Sequence, residues 1–280
     1  MVRVFFFSFT INEWLDGGDI VNYYETKEYL NEKNKFFFLD YGKDLDTTKY
    51  KTDNKTYAMT KTDDYNPTWV WTKDNLTDEE YSLVAQQLYD FLVNGESRFT
   101  SKKEFYNYLV KVKHELLLDS KTFLLGFLEV KELVKPKKVE GRFRKATLND
   151  VDVLVKYFFD LSEEEGHKVG SVDAVKEKVV RFVNEGLSYL WEDNNGKVVS
   201  TVEYKLVGNR AKVAGVYTPK EERRKGYCLN TVYELSKLLL DKGYEVFLFT
   251  DYTYKNSNEA YKKLGYKDEG YLVNYNLKRK

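Results

Sequence analysis

Read from its hydrophobic and polar positions, the second half of the chain is far more regular than the first. Residues 142–146 alternate and predict a strand. Thr147 then caps a helix, with Asp150 completing a capping box, and Val151, Leu154, Val155 and Phe158 recur at helical spacing on one face. A second helix follows, with Val172, Val175, Val179, Phe182 and Val183 inward and Gly186 as its stop. Three strands joined by tight turns come next. Residues 187–191 close at Asp193-Asn194-Asn195-Gly196, and 197–207 put Val202, Tyr204 and Leu206 on one face. After Gly208-Asn209, 211–217 complete the set. A helical seam of Cys228, Val232, Leu235 and Leu239 ends at Lys242-Gly243. Val246-Phe247-Leu248-Phe249 is a continuous apolar run, as expected of a strand covered on both faces in a parallel pair. A short helix over 258–264, stopped by Gly265, precedes a period-2 strand carried by Tyr271, Val273, Tyr275 and Leu277. The order β-α-α-β-β-β-α-β-α-β predicts a mixed sheet with helices on it, an α/β (α+β) class.

The first half gives weaker signals. Residues 20–29 and 81–92 read as helices, the second with Leu83, Leu88, Phe91 and Leu92 on a crowded apolar stripe. Phe36-Phe37-Phe38-Leu39 and Trp69-Val70-Trp71 read as short buried strands, and the polar stretch 44–55 as a loop. Gly95-Glu96-Ser97 reads as a helix stop and a turn. No catalytic motif or phosphate-binding glycine pattern stands here. Val134-Lys135-Pro136-Lys137-Lys138-Val139-Glu140-Gly141 is charged and broken by Pro and Gly, the composition of a linker. The expected division is a second, accessory α/β domain over 1–135 followed by the regular domain over 136–280.

Composition narrows the classes. The 280 residues suffice for two cores, and 42% hydrophobic with 32% charged residues is a globular balance. Most of the 24 Tyr and 18 Phe are expected to pack, since rings carry large buried area. The 45 basic residues cancel 45 acidic ones, so no global field holds nucleic acid or an anionic membrane. The run Val4-Phe5-Phe6-Phe7 is too short for a secretory core, and no apolar stretch approaches the roughly 20 residues of a membrane helix. A cytoplasmic protein is expected. Cys228 stands alone and His114 and His167 lie far apart, so neither a disulfide framework nor a metal site is expected.

One junction carries chemistry. At Val216-Tyr217-Thr218-Pro219-Lys220-Glu221-Glu222-Arg223-Arg224-Lys225-Gly226-Tyr227-Cys228 a strand ends, a proline breaks the ladder and a helix begins around a glycine. The first turn of a helix presents unpaired N–H groups and the positive end of its dipole. A glycine there lets an anion approach the backbone, and basic side chains add charge, which suits a diphosphate.

Arg223-Arg224-Lys225-Gly226-Tyr227-Cys228 resembles the acetyl-CoA-binding [Q/R]-x-x-G-x-[G/A] motif of GNAT-superfamily N-acetyltransferases. About thirty residues on, Asn258-Glu259-Ala260-Tyr261-Lys262-Lys263-Leu264-Gly265-Tyr266 resembles that superfamily's N-x-x-Y-x-K-x-G-[FY] segment. The resemblance covers roughly residue 141 to the C-terminus in the right element order. The first half is loosely similar to the degenerate first domain of two-domain predicted bacterial acetyltransferases. The resemblance implies a splayed sheet with acetyl-CoA as co-substrate in the gap, and no metal. Backbone groups of Val216, Tyr217 and Thr218 would pair with the pantetheine arm, and N–H groups from Arg224 to Cys228 would cradle the diphosphate. Tyr261 would be the general acid for the departing thiolate, with Asn258 as its helper. The pattern departs at Cys228, where relatives carry Gly or Ala, and at Tyr254, where many carry Asn. Cys228 reads as a small helix residue rather than a nucleophile. No motif fixes the general base; Glu203, on the alternating strand before the motif strand, is the candidate.

The expected activity is acetyl transfer to a primary amine by direct attack in a ternary complex, on a small-molecule or peptide acceptor. The alternatives are a CoA-binding module without turnover, and a tandem transferase using charged tRNA, against which zero net charge and the intact CoA motif argue.

Overall fold

The computed structural model describes residues 23–41, 49–62, 66–112, 116–165 and 169–280. The Val4–Phe7 run, both histidines, the first residues of the helix expected from 20 and residues 44–48 of the expected loop lie outside them. In the first half, a 3-10 turn at Tyr23–Glu25 leads into α1 (Lys27–Glu32) and α2 (Phe37–Tyr41). Strands β1 (Lys49–Thr52), β2 (Tyr57–Lys61) and β3 (Thr68–Thr72) follow, then α3 (Asp78–Gln87), β4 (Glu96–Ser101), α4 (Lys103–Val112) and β5 (Leu116–Val130).

Five expectations in this half are corrected. The described part of the helix expected over 20–29 is interrupted at Thr26, whose extended backbone caps α1. Phe36 to Leu39 are buried as expected, but they enter a helix, α2, not a strand. An apolar run this short has no period to separate the two, and coiling lets Phe38 stack on Trp69 (4.9 Å) while Phe37 meets Phe247 (5.3 Å). Part of the expected loop, Lys49–Thr52, is an edge strand whose lysines hide its pairing with β2. The helix expected over 81–92 starts at Asp78 behind a Thr77–Glu80 capping box and ends as a 3-10 turn at Leu88–Phe91. Leu88 and Phe91 are buried as expected and Leu92 packs beside them, but Leu83 is 44% exposed and its inward place is taken by Val84 and Ala85. Finally, the turn after this helix is Asn94-Gly95, and Glu96 already begins β4.

The second half follows the expected order. It consists of β6 (Arg142–Lys145), α5 (Val151–Glu164), α6 (Val172–Glu185), β7 (Ser188–Glu192), β8 (Val198–Val207) and β9 (Arg210–Tyr217). Then come α7 (Tyr227–Asp241), β10 (Glu245–Asp251), α8 (Lys255–Lys263) and β11 (Lys267–Arg279). Thr147 and Asp150 form the expected capping box, and Asp150 also accepts from Arg144 Nη1 and Nη2, both at 2.8 Å. Two details differ. Val172, the first residue of α6, is 59% exposed rather than inward, and α8 begins three residues before Asn258.

The strands form one mixed sheet in the order β1-β2-β3-β4-β11-β5-β10-β9-β8-β7-β6. Among the described residues only β3–β4 and β9–β10 are parallel. β5, from the first half, lies between β10 and β11; β11, the last strand, lies between β4 and β5. Each half thus supplies a strand to the other, and Val273, Tyr275 and Leu277 complete the apolar core around Phe99, Phe105 and Leu88.

On one face of the second half, α7 packs Val232, Leu235 and Leu239 onto Val202, Tyr204, Ala211, Val213 and Leu248. α5 and α6 lie on the opposite face, where α2 also covers Phe247. Arg210 fixes this cover, donating to Asp40 (2.7 Å) and to the Lys33 carbonyl (2.8 Å). The Pro136 segment is docked rather than loose. Val134 N–H donates to Leu264 (2.9 Å), Asn230 to the Lys137 carbonyl (3.0 Å) and Trp191 to the Glu140 carbonyl (2.8 Å).

Candidate functional site

The parallel ladder between β9 and β10 stops at Val213–Leu248. Both strands continue, β9 to Tyr217 along β8 and β10 to Asp251 along β5, without a register pair between them. A gap therefore opens between them, lined by backbone groups that the sheet leaves unused. A bulge marks its start: Thr201 faces Tyr217 and Glu203 faces Ala214, so Gly215 and Val216 together oppose Val202. Gly215 has φ +57°, and a Cβ there would lie 2.5 Å from the Glu203 side chain, so only glycine fits.

The segment leaving β9 is tied down by its own charges. The Thr218 carbonyl accepts from Arg223 Nε (2.8 Å), and Arg223 Nη2 reaches Glu164 (2.7 Å). Buried Glu222 takes Lys197 (2.7 Å) and Lys225 (2.8 Å). Of the basic residues expected to meet a diphosphate, Arg223 and Lys225 thus already serve the loop. Arg224 is exposed, with φ +62° and no ion pair among the described residues. Gly226 precedes α7 at φ +91° with no side-chain cap, and a Cβ on it would lie 2.8 Å from Val139. No acidic residue stands in the first turn of α7. The result is an uncapped, positive helix start closed on one side by the docked linker.

α8 brings Tyr261 beside Cys228 of α7, with its ring 6.0 Å from that of Tyr266. Burial, then the neighbouring Cys228, Tyr266 and Glu165, push the Tyr261 phenol well above its ordinary value, so it holds its proton throughout the neutral range. Burial also raises the Cys228 thiol to about 11, against the pull of a hydrogen bond with Thr218, which suits a packing residue and not a thiolate. Asn258 donates to the Asp251 and Tyr252 carbonyls (both 3.0 Å), fixing the end of β10. Its Oδ1 is buried with no hydrogen-bond partner among the described residues. A buried acceptor left unsatisfied at the mouth of such a gap fits a ligand N–H.

Glu203 lies on the other face, beneath the bulge, with Lys178 of α6 at 3.8 Å. Around it are residues the sequence did not single out: Lys178, Lys205 and Lys212, walled by Phe38, Tyr41, Phe158 and Phe249. On the strands the only sequence signal is period 2, with Glu203 and Lys205 alternating against Val202, Tyr204 and Leu206, which reads as a solvated face. Lys178 is one of two lysines among the polar positions of α6. The helices that cover this face come from distant segments. Among the described residues no group of three or more His, Cys, Asp or Glu side chains is placed to hold a metal, and no helix is long and apolar enough to cross a membrane.

The FR47-like protein family matches residues 196–274, which span β8 through most of β11 and so the whole gap. No curated protein matches the chain. Solved structures do. The chain is similar to the GCN5-related N-acetyltransferase from Kribbella flavida (TM-score 0.60, 12% identity, 91% of this chain and 96% of that one). It is also similar to an acetyltransferase from the GNAT family from Colwellia psychrerythraea (TM-score 0.56, 13% identity, 90% and 96%). A third is a putative GNAT-family acetyltransferase from Novosphingobium aromaticivorans DSM 12444 (TM-score 0.51, 14% identity, 79% and 88%). The chain has the GNAT-type acetyltransferase fold.

Proposed function

We propose that this chain transfers an acetyl group from acetyl-CoA to a primary amine by direct attack in a ternary complex. The observation that carries this reading is the β9–β10 gap ending at the uncapped start of α7. A diphosphate fits against the N–H groups from Arg224 to Cys228, with the Arg224 side chain turned to it. The pantetheine arm runs along the open edge of Val216, Tyr217 and Thr218 as an added strand. Asn258 Oδ1 supplies the acceptor for an amide N–H of that arm. The coenzyme thus enters from the α7 face, and its thioester emerges toward the face carrying Glu203.

There the amine gives its proton to Glu203, directly or through water, and attacks the thioester carbonyl. An N–H at the bulge around Gly215 receives the developing oxyanion, a donor already in place before charge appears. The C–S bond breaks as the amide forms. Tyr261 is the general acid: it gives its proton to the departing sulfur as the C–S bond breaks and regains one from solvent. In this reading residues 136–280 form the transferase domain, and 1–135 an accessory domain that supplies β5 and walls the acceptor side through α2.

Thiol release from acetyl-CoA in the presence of a primary amine tests the reading. Tyr261→Phe should lower the rate about 10²- to 10⁴-fold with coenzyme A affinity kept. Unchanged turnover in that variant, or no release with any amine, contradicts it.

A further inference from the structure

Lys212 stands on β9 two residues before the gap opens, on the face opposite α7. In the ladder its direct partner is Lys205 of β8, and like charges directly opposite repel. Its ammonium lies over the rings of Phe38 (4.7 Å) and Phe249 (5.4 Å). Lys205 lies over Tyr41 (4.9 Å). From α6, Lys178 lies over Phe158 (4.3 Å) and 3.8 Å from Glu203. Among the described residues no carboxylate pairs with Lys212; the carboxylates that act on it from a distance are Glu203 and Glu165. Ring faces replace only part of the hydration that a lysine loses on burial. Accordingly, burial and the facing Lys205 pull Lys212 down to about 7. Lys212 thus brings a buried positive charge, without an ion pair among the described residues, to the side of the gap where the proposed thioester emerges.

We infer that the amine acceptor carries an anionic group, a carboxylate or phosphate, held by Lys212 with Lys205 and Lys178 beside it, while its amine points into the β9–β10 gap. This rests on the proposed acetyl transfer. Two residues of strand place Lys212 only about 7 Å from the start of the gap, so a short spacer between anion and amine is required. No covalent role falls to Lys212: it supplies the counter-charge.

The test is calorimetry on the full chain, with and without coenzyme A, using four amines. γ-Aminobutyrate and O-phosphoethanolamine carry an anion, butylamine carries none, and 1,5-diaminopentane carries a second cation. The two anionic amines should bind at least tenfold more tightly than the other two, and the stronger of them identifies the anion. Lys212→Met should bring the anionic amines down to the butylamine level with coenzyme A affinity kept. Lys212→Arg should retain part of the preference, and Lys205→Met should weaken it. Thiol release from acetyl-CoA should follow the same order of amines. Equal binding of all four overturns the inference, whether or not coenzyme A binds. So does a Lys212→Met loss that falls equally on every amine, since the lysine would then not be reading the anion. Selective binding without acetylation of the bound amine overturns its assignment as the acceptor site. Failure of coenzyme A to bind, by contrast, is read separately and strikes the proposed transfer itself.

Discussion

The molecule contains the same run of elements twice. The first is β3-α3-β4-α4-β5 and the second is β9-α7-β10-α8-β11, each opening with a parallel pair around a helix. They differ where the helix starts. α3 begins at Thr77, whose side chain and Glu80 satisfy each other's backbone donors, and its first turn is acidic at Asp78, Glu79 and Glu80. α7 begins at Gly226 with no side-chain cap, no acid in its first turn and Arg223, Arg224 and Lys225 just before it. They differ also in the strands: β3–β4 pairing reaches the last residue of β4, whereas β9 and β10 both run on past their last pair. A helix start that satisfies its own donors is a frame, whereas one that leaves them open has N–H groups to offer an anion, the use proposed for α7. Topology alone does not separate the two.

Four measurements break or sharpen this comparison, beyond the Tyr261→Phe kinetics above. The largest stability effect concerns whether the two runs are one unit. Tyr275 of β11 is buried in the first half's core, beside Phe99 and Tyr106 and hydrogen-bonded to Ser101 (3.1 Å). Tyr275→Ala should cost about 3–5 kcal/mol in urea unfolding, with a single transition for the whole chain. Two separate transitions would mean that the strand exchange does not couple the halves.

Asp150 comes next, as a capped helix start within the second half. Its carboxylate is held down to about 2, first by the Arg144 guanidinium and then by the Thr147 donors. Because its folded value is depressed, this stability is complete above the unfolded value near 4 and is lost as pH falls toward 2. Asp150→Ala should cost roughly 2 kcal/mol at neutral pH and flatten the acid limb over that window. An unchanged acid limb would show that the pairing contributes nothing. Thr77→Ala is the smallest effect, about 1 kcal/mol, and should leave coenzyme A affinity untouched. A loss of affinity there would make α3 part of the site.

Much of the second half was legible because its signals are local. Asn195-Gly196 names a hairpin, Gly186 a helix end, and Val232, Leu235 and Leu239 a buried stripe that the structure places at zero exposure. The first half was not, for physical reasons visible in particular residues. Phe36 to Leu39 are apolar without a period; Lys49 and Lys51 disguise an edge strand; Leu83 sits outward on a helix whose true stripe begins with Val84. The insertion of β5 between β10 and β11 pairs residues more than a hundred positions apart, and no local pattern encodes it. The glycine at 226 and the tyrosine at 261 were legible as a motif, while the open acceptor on Asn258 and the lysines on the far face depend on tertiary cover.

The central claim is that a diphosphate rests on the open amides at Gly226. Titrating coenzyme A into the full chain by calorimetry tests it most directly. A saturable heat that Gly226→Glu abolishes, with the variant's melting curve still cooperative, is the predicted result, since the added side chain meets Val139 and brings a negative charge to the amides. No heat from the unaltered chain, or equal affinity in the variant, would contradict the account.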